Sequence, residues 1–276
     1  MHDNASRSAL QIALLERHNL EIAEKLLAID GLDLLCADKK TGQTLIHKTV
    51  AFSDQIAAQF LAANGVPVDV PDAKSGANPS SVDGVSGCTA LHYAVSKPRA
   101  VLDALLPHCD SATIGTTDRD GRSPLWCALL ASKFDTAALL IGAGADINEK
   151  SADGVPLLIK AIALKRDDIS RFLLANKAIA AVTSPDGFTP LNLAVQNGLT
   201  STVDQLCKLG ANLNHPNPLN GLIPLWTALE NGDFGTAEVL IAHGAVIVHS
   251  NARKFAVCAF SVGYRRIVRQ RRTNDG

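Results

Sequence analysis

His47 and His92 are the side chains best suited to act as general bases, Asp167–Asp168 is the acidic pair best placed to share a proton, and six cysteines supply thiols. Such chemistry needs a second group at fixed reach, and metal binding needs ligands at short, regular intervals. The sequence contains no G-x-x-x-x-G-K-[ST] phosphate loop, no H-E-x-x-H, no G-x-S-x-G elbow and no kinase set. Cys36, Cys88, Cys109, Cys127, Cys207 and Cys258 are scattered and form no CxxC pair, a pattern that predicts packed, reduced thiols. His108, His215 and His243 fall at unrelated positions near turns. The expectation is therefore a chain that is not an enzyme, with no catalytic residue, no metal ligand set and no cofactor. Asp167–Asp168 reads as a solvated helix start.

His47 and His92 nevertheless share a position within a repeated word, and that phase leads back to the elements that hold them. SALQIA from Ser8, TLIHKT from Thr44, TALHYA from Thr89, SPLWCA from Ser123, PLLIKA from Pro156, TPLNLA from Thr189 and IPLWTA from Ile223 fall into one alignment, spaced 36, 45, 34, 33, 33 and 34 residues apart. A second word follows about 22 residues later, as in LLIGAGADIN ending at Asn148 and QLCKLGANLN ending at Asn214. Gly87, Gly121, Gly154, Gly187 and Gly221 precede the first word by one residue, where a sharp turn favours glycine. Ser8, Thr44, Thr89, Ser123 and Thr189 then stand where a helix begins and its first N–H groups need acceptors, with Pro124, Pro190 and Pro224 suited to the first turn. The small residues Ala13, Ala94, Ala128, Ala161, Ala194 and Ala228 let paired helices approach, and leucine pairs such as Leu173–Leu174 fill the seam.

These words and their period resemble those of the ankyrin-repeat family over residues 6–250. The resemblance implies an all-α fold, an ankyrin-repeat solenoid of about seven helix-turn-helix repeats with hairpin loops, in which each repeat buries its apolar face only against its neighbours. It also implies a structural hydrogen-bonding role for His47 and His92. Departures are expected to repack locally: Pro156 and Ile223 replace the capping residue, Ile159 and Asn192 replace histidine, and Trp126 and Trp226 occupy that same slot.

The array is expected to span residues 1–250, with an insertion loop at 73–86 accounting for the 45-residue spacing. Residues 251–276 are expected to form a divergent capping helix and a basic tail, YRRIVRQRR at 264–272. Hydrophobic residues make up 47% of the 276-residue chain, charged residues 19% and aromatic residues 4%, so alanine and leucine must carry the core. The net charge of −1 divides into about −7 for residues 1–252 and about +6 for the remainder. Without bulk positive charge or an aromatic ladder, nucleic acid is not an expected partner. The beginning of the sequence has no apolar leader pattern and no stretch approaches 18 apolar residues, so neither a secretion signal nor a membrane span is expected; the tail leaves peripheral membrane contact open.

Binding is the remaining function class, and the repeat phase nominates its residues. Positions after the turn glycine include Arg122, Phe188 and Leu222, the last two forming an apolar pair on adjacent hairpin tips that is either exposed as a contact point or has Phe188 folded back onto its own helix. The positions two and three residues after the small residue of the word read Ala51–Phe52, Ser96–Lys97, Leu130–Ala131, Ala163–Leu164, Gln196–Asn197 and Glu230–Asn231. Leu130, Ala131, Ala163 and Leu164 are either a docking face for an apolar partner segment or part of tight inter-repeat packing. GRSPLW at Gly121 and GLIPLWTALENGDFGTAEVLIAHGA at Gly221 are further similar to arrays of the endosomal proteins that join BTB, ankyrin and FYVE modules. That similarity implies a cytoplasmic, endosome-associated scaffold binding other proteins such as Rab-type small GTPases or endocytic factors. The chain lacks the several CxxC pairs of a FYVE finger. The alternative is a nuclear or transcription-related adaptor using the basic tail as an import signal.

Overall fold

The computed structural model describes residues 8–28, 43–68 and 87–246. The insertion at 73–86 and the expected cap and tail at 251–276 lie outside the described residues. Backbone contacts gather into two compact units, residues 1–147 and 148–276. Both are helical, and an isolated antiparallel bridge joins Lys150 and Pro156.

The first unit contains α1 (Ala9–Gln11) running into a π-helical turn (Ile12–Glu16), α2 (Leu20–Leu27), α3 (Leu45–Ala51), α4 (Gln55–Ala63), α5 (Ala90–Val95), α6 (Arg99–Leu105), α7 (Ser111–Ile114), α8 (Pro124–Leu130) and α9 (Phe134–Gly142). The second contains α10 (Leu157–Ala163), α11 (Asp167–Ala175), α12 (Pro190–Gln196), α13 (Thr200–Lys208), α14 (Pro224–Glu230) and α15 (Phe234–Ala242). Within each unit the first helices of successive repeats stack, α3 on α5 on α8 and α10 on α12 on α14, and the second helices stack beside them, α4 on α6 and α11 on α13 on α15.

The helix starts follow from the sequence. Ser8 Oγ accepts Gln11 N–H at 3.1 Å, Ser123 Oγ accepts Trp126 N–H at 3.0 Å, and Thr189 Oγ1 accepts Asn192 N–H at 3.1 Å. Pro156 has no capping side chain; there Leu157 N–H turns instead to Glu149 C=O at 3.1 Å. The small alanines are sealed in the helix seams, with Ala128, Ala161, Ala194 and Ala228 at zero exposure. Leu105, Leu125, Leu129, Leu140, Leu173, Leu191, Leu206 and Leu225 fill the space around them, each buried side chain contributing about 2 kcal/mol of apolar transfer.

Turns between paired helices place one residue in the left-handed region just before the second helix: His18, Ser53, Ser132 and Lys165, then Gly198 and Gly232. After the second helix Gly65, Gly144, Gly210 and Gly244 take the same conformation, and Lys177 does so at φ 69° where its sister repeats have glycine. Gly87, which opens the α5 hairpin at φ 66°, has a second constraint, because a Cβ there would lie 2.8 Å from Arg119 Cγ.

Candidate functional site

The histidine slot is a fastener. Thr44 N–H and Oγ1 lie 3.3 and 2.7 Å from His47 Nδ1, and His47 Nε2 lies 3.0 Å from Cys88 C=O in the next repeat. His92 does the same, with Nδ1 3.1 Å from Thr89 N and Nε2 2.8 Å from Arg122 C=O. An N–H pointing at Nδ1 makes that nitrogen the acceptor, so Nε2 carries the proton and donates forward. Asn192 reproduces the connection with a shorter side chain. Its Oδ1 lies 2.6 Å from Thr189 Oγ1 and 3.4 Å from Thr189 N, while Nδ2 donates to His215 C=O at 3.0 Å.

Three potential metal donors converge in the first unit, where one ligand atom each from His92, Asp118 and Cys127 lie within 4.8 Å of one another. The set is occupied by the fold. Both ring nitrogens of His92 are engaged as above. Asp118 Oδ1 accepts the N–H groups of Asp120 and Arg122 at 2.9 Å, and its Oδ2 accepts the Arg122 guanidinium through Nε and Nη2 at 2.8 Å. A fixed cation already neutralises the carboxylate, which is the arrangement of a locked hairpin.

Arg122 is accordingly not an available tip charge. Asp118 holds it from one side and Asp120 from the other at 2.6 Å, and the hydrogen bond to Asp118 raises its pKa above the ordinary arginine value. Leu222 corrects the expectation of an exposed apolar pair: it is 7% exposed, its backbone is pinned by Asn220 Oδ1 and Asn217 N–H, and its side chain turns inward. Phe188 is half-buried in a hairpin closed by Ser184. Asn197 is also spent, because its amide donates to Ile162 C=O at 2.9 Å and so caps the end of the preceding first helix. Asp168 is exposed at the start of α11 as expected, whereas Asp167 departs from a solvated helix start. Asp167 Oδ1 accepts Thr202 N–H at 3.1 Å and Thr202 Oγ1–H at 2.7 Å from the following repeat. Asp168 is held below its ordinary pKa chiefly by its hydrogen bonds from Arg166.

The other nominated residues occupy helix ends. Leu130 is half-buried and Ala131 exposed at the end of α8 in the first unit. In the second unit Ala163, Leu164, Gln196 and Glu230 are all exposed at the C-terminal ends of α10, α12 and α14, with Leu164 at 53%. Those three helices pack in sequence, so the structure brings these four residues into one row. Exposure removes Ala163 and Leu164 from the inter-repeat packing alternative.

Phe52, at the corresponding end of α3, holds one of the helix-end positions that the repeat phase nominates for binding. It is 73% exposed and borders a cavity of about 440 Å³ lined by Gln11, Leu15, Glu16, His18, Phe52 and Asp54. The signal in the sequence is an aromatic residue at a solvated helix end. Among the described residues no helix is long and apolar enough to cross a membrane.

Comparison with known proteins places this geometry in context. The family model for ankyrin repeats (three copies) matches residues 70–151, 131–217 and 157–251. Rabankyrin-5 from Mus musculus is 28% identical over 185 residues, covering 64% of this chain, and Rabankyrin-5 from Homo sapiens is 29% identical over the same length. The aligned part is 14% of either relative's length. Among solved structures, the ankyrin repeat domain of Bcl-3, described as a unique member of the IkappaB protein family, aligns with a TM-score of 0.68 at 23% identity. That alignment covers 87% of this chain and the whole of that one, and it concerns the fold alone.

Proposed function

This chain belongs to the ankyrin-repeat family, a family of protein-interaction modules, and on that premise we propose that it is a non-catalytic scaffold in endosomal trafficking that binds a Rab-type small GTPase or a trafficking factor. The observation that carries the reading is the row of exposed helix ends in the second unit, where Leu164 projects from a backbone tied by the Asn197 to Ile162 bond. A rigid row with one large apolar side chain beside alanine, an amide and a carboxylate has the mixed character of an interface anchor. The partial similarity to Rabankyrin-5 supports the choice of partner class.

The test is direct binding of the full chain to a panel of Rab-type GTPases loaded with a non-hydrolysable GTP analogue, beside Leu164→Asp. The expected result is that at least one GTPase binds and that Leu164→Asp weakens it about tenfold or more, equivalent to about 1.4 kcal/mol, with an unchanged circular dichroism spectrum. Binding to none of them overturns the GTPase reading. Capture of import factors that depends on residues 253–276 would favour the nuclear adaptor instead, the reading that rests on seven basic residues in that segment.

A further inference from the structure

We propose that the cavity beside Phe52 is a receptor for an arginine side chain presented by a partner polypeptide, an inference that rests on the scaffold reading and gives it a second contact point, in the first unit.

The argument starts from Asp54. Its side chain is 13% exposed, and Oδ1 is used as the N-cap of α4, accepting Ala57 N–H at 3.0 Å. Oδ2 is fully covered and has no hydrogen-bond donor. His18 Nδ1 lies 3.3 Å from it without forming a hydrogen bond. A covered carboxylate oxygen without a donor is costly, and the cost is removed when something in the cavity donates to it.

The remaining lining specifies what that donor is. Glu16 is a second carboxylate in the lining, and the unsatisfied Oδ2 of Asp54 calls for a donor rather than an acceptor, so an anionic ligand is disfavoured. Phe52 and Leu15 supply apolar surface, and Phe52 presents its ring at 73% exposure. A planar cation that stacks on an aromatic face while donating in plane to carboxylates is a guanidinium; an ammonium donates but does not stack. A cavity of about 440 Å³ that is open to solvent admits a side chain of that size at the end of a polypeptide.

The test is an NMR titration of the ¹⁵N-labelled full chain with acetyl-Leu-Arg-Leu-amide and, in parallel, with the same peptide carrying citrulline, which has nearly the shape of arginine and no charge. The expected result is saturable shifts at the amides of His18, Phe52 and Asp54, with Kd about 1 mM or tighter and the citrulline peptide at least about tenfold weaker. Asp54→Asn keeps the helix cap, asparagine being an equivalent N-cap, and should weaken the arginine peptide about tenfold. Phe52→Ala, at an exposed position, should weaken it as well and leave the fold intact. Equal shifts with both peptides, no shift at about 20 mM peptide, or undiminished binding to Asp54→Asn overturns the proposal. The GTPase measurement turns on Leu164 in the other unit, so failure of one reading is distinguishable from failure of the other.

Discussion

Replacing Asn192 tests whether the histidine slot fastens repeats regardless of which polar residue fills it. Asn192 is 2% exposed and its side chain makes three polar contacts, two with Thr189 and one with His215 C=O at 3.0 Å. Asn192→Ala removes all three. At a net contribution of about 1 kcal/mol per hydrogen bond, with Thr189 and His215 half-buried so that water partly compensates, the expected loss is about 2–3 kcal/mol. Asn192→Asp keeps an acceptor for Thr189 N–H but turns a carboxylate oxygen toward His215 C=O, and should lose at least as much as alanine. Asn192→His restores one acceptor and one forward donor, as His92 has, and should lose least. Urea unfolding followed by circular dichroism gives the ranking, and hydrogen exchange should localise the loss to α12 and its neighbours α10 and α14. A loss below about 1 kcal/mol for alanine, or aspartate as stable as asparagine, refutes the reasoning, because the bond to His215 would then contribute nothing.

Lys177→Gly should stabilise the second unit by about 1 kcal/mol, read as a higher urea midpoint, because lysine there holds a positive φ of 69° at the position where the sister repeats place Gly144, Gly210 and Gly244, also at positive φ. Gly87→Ala should destabilise the first unit by about 2 kcal/mol in the same assay, combining a left-handed φ with a Cβ 2.8 Å from Arg119 Cγ. Burial pushes the Cys207 thiol up to about 11, so iodoacetamide at neutral pH should label the half-buried Cys88, Cys109 and Cys127 first, and peptide mass mapping should find Cys207 unmodified in the folded protein.

The helix-turn-helix organisation was legible because it is written in local rules: a hydroxyl before a helix, proline at its first turn, alanine in the seam and glycine at the turns. Substitutions inside the word were harder to read. Asn192 looks like a departure in the sequence, yet it has an acceptor and a donor on one amide and so keeps both halves of the connection. Trp226 has only a donor. It cannot accept an N-cap N–H, and because the N-cap residue Ile223 has no side-chain acceptor either, α14 starts without a capping side chain, whereas α8, with Trp126 in the same slot, keeps the Ser123 cap. The candidate site was legible as a set of positions and misleading as a set of contacts. Arg122 and Asn197 have the chemistry of interface residues, but the carboxylates that hold Arg122 are two and four residues away in its own hairpin, and the carbonyl that holds Asn197 belongs to a helix 35 residues away.

One cause underlies those misreadings. Each first helix is about seven residues long, so most of its backbone groups lie at its ends and several carbonyls have no partner within the helix. The next repeat supplies donors: Lys97 Nζ reaches Ala51 C=O at 2.6 Å, Lys133 Nζ reaches Val95 C=O at 3.1 Å, and Asn197 reaches Ile162 C=O. Polar side chains at the helix ends are thereby drawn into the stack, each holding its neighbour in register. What remains for a partner is whatever this demand leaves over. Under the proposed scaffold reading, that includes Ala163, Leu164, Gln196 and Glu230 in the second unit and Phe52 in the first. Recognition specificity in a chain of this kind then rests on the residues that the inter-repeat hydrogen bonds do not need, which explains why a large apolar side chain at a helix end is more informative about binding than a charged one.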